Sequence, residues 1–251
     1  GSKEPPVRSV GQNIWRYHPP TGTYEVFAEG GGNTFGCEID SQGRVFSGHN
    51  GGDTRGFHYV QGGYYRKGFG KHGPLSNPYA FGFFENIRHH SVARFTHNFV
   101  IYEENFLPEP YRGKLFGIEP LQGQVVRSEI RSFQSSFETL DLDRVLKTDD
   151  PWFRPVDIKC GPDGCIYVAD MYEQRIDHSS HYAGRIDRSN GRIYRLKPNR
   201  SEILPMGSSE DLSLRSTPEL VELLKSPARW QRQTALRLIG DRHDQTCHAL
   251  I

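Results

Sequence analysis

The sequence predicts a mainly β fold, a partial β-propeller followed by a short α-helical segment. A short apolar strand, a turn that ends in Gly and a second strand occur together at residues 31–49 and again at residues 154–170. The composition agrees, because 27 Gly, 16 Pro and 12% aromatic residues against two Met are typical of turn-rich β-proteins. Repeated hairpins with Gly turns are typical of propeller blades.

The predicted blades follow one another along the chain. A first unit, from about residue 13 to residue 48, holds four strands, which is the content of one blade. Residues 49–90 are rich in Gly, His and Tyr and predict an insertion or a long loop. A second blade is predicted over residues 97–130, and a third combines residues 154–170 with an outer strand at residues 191–196. At about 40 to 45 residues per blade, three or four blades fit, too few to close a ring.

The pattern changes after Pro198 to that of two short amphipathic helices. Ser216 predicts a hydroxyl cap, with Pro218 in the first turn of the helix. Pro227 ends this helix, and the second helix is predicted to end at Gly240. Two such helices predict a HEAT-type hairpin, which must pack its apolar face on the β region or on further repeats.

The sequence therefore divides into propeller blades at residues 8–200, a linker at residues 201–215 and the start of a HEAT-like region at residues 216–251. The net charge is +1, so no broad field attracts nucleic acid. No run approaches the roughly 18 apolar residues of a membrane span. The four cysteines are too scattered for a disulfide framework, and we expect packed thiols.

Several segments resemble a known group of enzymes. Residues 33–51, followed by residues 62–65, resemble the quinone-site blade of soluble glucose and sorbosone dehydrogenases, a group with NHL-like blades. Residues 106–116 and 155–164 resemble later blades of planctomycete-type membrane-bound dehydrogenase propellers, which carry HEAT repeats and often cytochrome c. The resemblance covers about residues 13–251 and implies a fragment of a longer protein.

This resemblance implies a quinoprotein that oxidises a sugar or another alcohol. It implies pyrroloquinoline quinone and Ca²⁺ as cofactors, a cytochrome c as electron acceptor in the parent protein, and a periplasmic or extracytoplasmic location. The sequence itself encodes no location. The catalytic base of the family comes from an earlier blade, so we expect it upstream of this chain and assign no catalytic residue within it.

The resemblance also assigns binding roles to individual residues. Asn33 and Arg154 fall where the family contacts the quinone, and a guanidinium suits the cofactor's carboxylates. Asn50 and Gly51 fall where backbone carbonyls bind Ca²⁺, an ion that prefers oxygen ligands. Gly51 in a bare turn and Arg154 as a surface cation are the alternative interpretations.

Asp170 and Arg175 follow the predicted strand at residues 166–170. The planctomycete-type proteins usually carry a similar Asp and Arg at this place, so the resemblance implies that both residues lie at the rim of the central channel. They would bind sugar hydroxyls by charge-assisted hydrogen bonds or form a structural salt bridge between blades. The aromatic residues of segments 64–65 and 79–84 stack on sugar rings in one interpretation and pack the loop in the other.

Two further functional hypotheses stay open. Gly32 and Val156 stand where the quinone enzymes have arginines. This departure favours a non-catalytic propeller with a HEAT module that binds carbohydrate or a protein partner. A gluconolactonase-like metal hydrolase would instead need Asn33, Asp157 and Asp170 to converge on one Ca²⁺.

Overall fold

The structure, a computed structural model, describes residues 12–66, 82–90, 92, 96–175, 177, 179, 182–184, 187–199 and 211–244. These residues form thirteen strands in four sheets and two α-helices, which confirms the mainly β class. Within this part of the chain the sheets do not close into a ring.

The strands are β1 (Asn13–His18), β2 (Thr23–Gly30), β3 (Thr34–Ile39), β4 (Val45–His49), β5 (Phe57–Tyr59), β6 (Tyr64–Tyr65), β7 (Phe99–Ile101), β8 (Leu115–Glu119), β9 (Gln124–Phe133), β10 (Ser136–Lys147), β11 (Pro155–Cys160), β12 (Ile166–Asp170) and β13 (Arg192–Leu196). The sheet orders are β1-β2-β6, β3-β4-β5, β10-β9-β8-β7 and β11-β12-β13. The predicted outer strand of the third blade is confirmed, because β13 pairs with β12 in a three-stranded sheet.

The predicted first blade is wrong in its pairing. Residues 13–48 do supply four strands, but β1 and β2 form one sheet with β6, whereas β3 and β4 form another with β5. The cause lies in the Gly-rich turn between β2 and β3, where Gly30, Gly31 and Gly32 all have positive φ. This turn redirects the chain into a new sheet, because only Gly adopts such angles at low cost.

Strands β3, β7 and β11 lie side by side and begin at the same end, and we call them the inner strands. Phe35 of β3 stacks on His97, which leads into β7, with ring centroids 3.7 Å apart. The Nδ1 atom of His97 lies 3.4 Å from the carbonyl oxygen of Val156 in β11. This order, β3 then β7 then β11, is the arrangement expected of consecutive blades.

Two apolar cores join neighbouring sheets. One lies between the sheet of β7 to β10 and the sheet of β11 to β13, and includes Val100, Ile118 and Ile158. The other joins β4 to the sheet of β7 to β10 through Phe46, Phe99 and other buried residues. Complete burial of such a side chain contributes about 1.5–3 kcal/mol, so these cores fix the sheets relative to one another.

The helical region contains α1 (Thr217–Leu223) and α2 (Arg229–Arg242). The predicted cap is confirmed, since Ser216 and Glu219 form a capping box at the start of α1. The predicted end at Gly240 is wrong: α2 continues to Arg242, and His243 takes the left-handed conformation that ends it. Among the residues described, no helix is long and apolar enough to cross a membrane.

The helices pack against the β region at the far ends of the inner strands. The Arg229 guanidinium bonds to Glu38 Oε1 at 2.6 Å and to the Ile39 carbonyl at 3.0 Å. The Trp230 backbone N–H donates to Glu104 Oε1 at 2.9 Å. The packing expected of the helical hairpin is therefore found, and its polar part involves the ends of β3 and the segment after β7.

Candidate functional site

Most of the residues singled out in the sequence lie at one end of the sheets. Asn33 directly precedes β3, and Arg154 directly precedes β11. His49 ends β4 and Asp170 ends β12, and both strands run antiparallel to their inner neighbours. All four residues therefore lie where the inner strands begin. We call this group the amino-end site, and it comprises Asn33, His49, Asn50, Gly51, Asn98, Arg154 and Asp170.

One side of the site is built by the turn that ends at Asn33. Asn33 has a φ of 44°, which continues the left-handed run of Gly30 to Gly32. A side chain at Gly31 would collide with the Tyr59 hydroxyl, so this close approach requires Gly. The Asn50 N–H donates to the Asn33 carbonyl at 3.0 Å. The structure thus brings together Asn33 and Asn50, which the sequence assigned to different ligands.

His49 and Gly51 form a tight contact beside this turn. Any side chain at Gly51 would overlap the Nε2 atom of His49. Burial lowers the pKa of His49, and hydrogen bonding to the backbone of Gly32 and Gly31 acts in the opposite direction. The imidazole is therefore neutral near pH 7. Gly51 is therefore needed here for space.

The other side of the site is organised by Asp170. Its Oδ1 atom accepts hydrogen bonds from the backbone N–H groups of Arg154 and Tyr172, both at 2.8 Å. The Arg154 guanidinium donates to the carbonyl oxygens of Phe153, at 2.8 Å, and Gln174. Burial lowers the pKa of Arg154, an effect that the charge of Asp170 opposes. In the part of the chain described, no carboxylate lies within ion-pair distance of this guanidinium.

Arg175 lies apart from Asp170. It is exposed and pairs with Asp177 in the same loop. In the described residues, Asp170 and Arg175 therefore do not form a salt bridge with each other. Asp170 holds backbone N–H groups, and Arg175 remains at the surface of the loop that follows β12.

His97 and Asn98 connect the two sides and were missed as site residues. Burial lowers the pKa of His97, with Val156 and Asp157 acting against the shift. The Asn98 side-chain amide donates to Asp157. No role was assigned to His97 or Asn98 from the sequence.

Buried polar atoms without partners are concentrated in and beside the amino-end site. Six such side-chain atoms lie here. They are Gln12 Oε1, His49 Nδ1, Asn50 Oδ1, Asn98 Oδ1, Arg154 Nε and Asp170 Oδ2. Because buried polar groups are nearly always hydrogen-bonded in native proteins, this concentration indicates a place where a polar ligand or ordered water supplies the missing partners.

The loop after β4 is held in place by a fully buried arginine. Arg55 has no exposed side-chain surface, and its guanidinium lies 2.7 Å from Glu119 and 2.5 Å from Asp141. Gln124 donates a further hydrogen bond to Glu119. This network ties the segment that carries Asn50 and Gly51 to β8 and β10, so the loop position is set by the neighbouring sheet.

The metal predictions concern backbone oxygens more than side chains. Among the residues that the structure describes, no three His, Cys, Asp or Glu side chains are grouped to hold a metal ion. The convergence of Asn33, Asp157 and Asp170 on one Ca²⁺, which a gluconolactonase-like site requires, stays a prediction. A Ca²⁺ site made of carbonyls around Asn50 and Gly51 stays a prediction.

Propeller-like sheets with a buried polar site at the beginning of the inner strands define the general class of this chain. The chain belongs to the family described as domain of unknown function (DUF7133), whose model matches residues 2–200. The comparison with curated proteins gave no significant match.

Three solved structures are similar to this chain. A protein described as an oxidoreductase (glucose dehydrogenase) from Thermus thermophilus has a TM-score of 0.47 at 18% identity, covering 68% of this chain and 47% of its own. A glucose dehydrogenase has a TM-score of 0.45 at 16% identity, and the match covers 70% of this chain and 47% of that structure. The PQQ-bound aldose sugar dehydrogenase from Streptomyces coelicolor has a TM-score of 0.42 at 15% identity, and the match covers 68% of this chain and 45% of that structure. This chain spans about half the length of each structure.

Proposed function

We propose that this chain is part of a quinoprotein-like dehydrogenase that oxidises a sugar or another alcohol, with pyrroloquinoline quinone bound at the amino-end site. The observation that supports the proposal is that six unpartnered buried polar atoms, among them Arg154 Nε, lie in and beside this site. In the described residues the Arg154 guanidinium also has no carboxylate partner. A planar, anionic, oxygen-rich ligand would satisfy both features.

The residues fit the quinone in part. Arg154 offers a guanidinium for a cofactor carboxylate, and Asn33 and Asn50 offer side-chain amide groups at the same site. Carbonyls around Asn50 and Gly51 are suitable ligands for Ca²⁺. Gly32 and Val156 provide no charge, so the site balances fewer carboxylates than the resemblance implies. We therefore expect weaker quinone binding than in enzymes that have arginines at those positions.

The chemistry divides between cofactor and protein. When bound, the quinone accepts a hydride and Ca²⁺ polarises it. The chain's own residues bind and orient. Asp170 fixes the backbone at Arg154, and the stacking of Phe35 on His97 links strand β3 to the residues that lead into β7. The base that removes the hydroxyl proton is expected upstream of this chain.

The proposal extends to the parent protein. It includes the division at residues 8–200, 201–215 and 216–251, the HEAT-like nature of the helices, a cytochrome c acceptor and a periplasmic or extracytoplasmic location. Asp170 and Arg175 are proposed as sugar-binding residues at the rim. Each of these statements rests on the resemblance of the sequence and the placement of the residues described above.

Calorimetric titration of pyrroloquinoline quinone into the full-length protein, with and without Ca²⁺, tests the proposal. We expect Ca²⁺-dependent binding that Arg154→Ala weakens at least about ten-fold, because a charged hydrogen bond is lost. Arg131→Ala is the matched control, since Arg131 is exposed and pairs with Glu138 far from the site. Absence of binding at high micromolar quinone, in a protein that is folded, would refute the proposal.

A second function is favoured by the uncharged residues at Gly32 and Val156. These positions suit a non-catalytic propeller that binds carbohydrate or a protein partner through the same face. Titration with a neutral sugar in the absence of quinone separates the two functions, because a non-catalytic carbohydrate-binding domain would bind that sugar at the amino-end site.

A further inference from the structure

A cleft of about 480 Å³ lies between the β5–β6 region and the turn that joins β9 to β10. Its volume is within the usual range of small-molecule sites. None of its lining residues belongs to the amino-end site. The lining includes Asp53, His58, Tyr65, Phe84, Glu85 and Arg88.

One wall of the cleft is an aromatic platform. Phe84 stacks on buried Tyr65, with ring centroids 5.5 Å apart and an angle of 26° between the rings. Phe84 is nevertheless 45% exposed, so much of its ring surface remains uncovered. An exposed aromatic ring held flat by a second ring offers a rigid apolar surface to a ligand.

The polar groups of the cleft have few partners within the protein. In the residues described, Asp53, Glu85 and Asn86 make no side-chain hydrogen bond or ion pair, and the imidazole of His58 packs against the rings of Phe46 and Phe137. The Ser136 hydroxyl also lines the cleft and is buried without a partner. Hydrogen-bond donors and acceptors therefore surround the platform.

The charges of the cleft select the class of ligand. Asp53 and Glu85 are acidic, and Arg88, whose guanidinium lies 4.5 Å from the centre of the Phe133 ring, is basic. Burial lowers the pKa of His58, and the charge of Arg44 adds to the effect, so the imidazole is neutral near pH 7. Carboxylates and a guanidinium in the same cleft suit a neutral ligand that both donates and accepts hydrogen bonds.

We propose that this cleft binds a neutral pyranose ring, as a carbohydrate site separate from the amino-end site. The C–H face of the sugar stacks on Phe84, while its hydroxyl groups donate to Asp53 and Glu85 and accept from Asn86 and Arg88. An aromatic platform with a few converging polar groups is the usual composition of a small-ligand pocket. This inference does not depend on quinone binding.

Titration with methyl α-D-glucopyranoside tests the inference, because its blocked anomeric carbon cannot be oxidised. We expect it to bind more tightly than sorbitol, which lacks a ring face, and than benzoate, which is an anion. Phe84→Ala is expected to weaken binding about five-fold to ten-fold, and Phe84→Trp to retain it. Tyr24→Ala is the matched control, since Tyr24 is a half-exposed aromatic residue outside the cleft.

The result also separates this inference from the proposed function. Arg154→Ala is expected to leave glucopyranoside binding unchanged, whether or not the protein binds quinone. Thermal unfolding of each variant establishes that it is folded. Glucopyranoside binding no tighter than that of sorbitol, or equal in Phe84→Ala and the wild type, would overturn the inference.

Discussion

Replacing Arg229 with Met is expected to destabilise the protein strongly. Arg229 is 5% exposed, and its guanidinium contacts Glu38 Oε1 at 2.6 Å, the Ile39 carbonyl at 3.0 Å and Glu103 at 3.5 Å. Met has a similar length and leaves little empty space. The main effect of the change is therefore to leave the Glu38 carboxylate buried without its cation.

The expected loss is about 3–5 kcal/mol of unfolding free energy, the usual effect of removing one partner of a buried ion pair. Burial already raises the pKa of Glu38, while the charge of Arg229 and its hydrogen bond lower it. Without Arg229 this pKa rises further above its unfolded value. A group of this kind stabilises the folded state at low pH and loses that contribution as pH rises through its folded pKa. The deficit of Arg229→Met should therefore shrink as the pH falls from 7 toward 5.

Urea unfolding at pH 7 and pH 5 measures both effects. Arg237→Met is the matched control on the same helix, because Arg237 is exposed and pairs with exposed Asp241; we expect a change of at most about 1 kcal/mol. When Glu38 has been replaced by Gln, the Arg229→Met substitution should lower the unfolding free energy at pH 7 by less than it does in the wild type. A deficit below about 1 kcal/mol in Arg229→Met, or one that does not depend on pH, would refute the reasoning.

Two further predictions concern the backbone. Gly48→Ala is expected to lower the melting temperature by several degrees or prevent folding, because the new methyl group would overlap the backbone carbonyl of His97. Gly43→Ala is the control for backbone strain alone, because Gly43 has open space around it but a φ of 76°. An equal loss of stability in both variants would contradict the steric reason. Ser216→Ala is expected to cost about 1 kcal/mol in urea unfolding through loss of the α1 cap, and no loss would show that Glu219 caps the helix alone.

The fold was predictable where local pattern and pairing coincide. The hairpin of β11 and β12 follows from apolar strands on either side of the turn at Asp163 and Gly164, and the α1 cap follows from Ser216 and Glu219. The pairing of β2 with β6 was not predictable, because two residues, Tyr64 and Tyr65, form a parallel contact that leaves no periodic signal. Tertiary contacts decided that sheet.

Individual residues of the candidate site were predictable, but their contacts with one another were not. Asn33 and Asn50 were assigned from the resemblance, and their proximity depends on a backbone hydrogen bond that no motif encodes. His97 was missed because its burial arises from stacking on Phe35 and contact with Val156, both distant in sequence. Repeat position indicated where each strand begins, whereas the partners of a side chain followed only from packing between sheets.

The bond between Arg229 and Glu38 joins residues 191 positions apart in the chain. Such a distant contact closes a very long loop, and the entropy of that closure must be overcome before the contact stabilises anything. The helices are therefore expected to dock late in folding, onto strands that have already paired. During synthesis on the ribosome, the end of strand β3 that carries Glu38 would therefore remain uncovered until nearly all of the chain described here has been made.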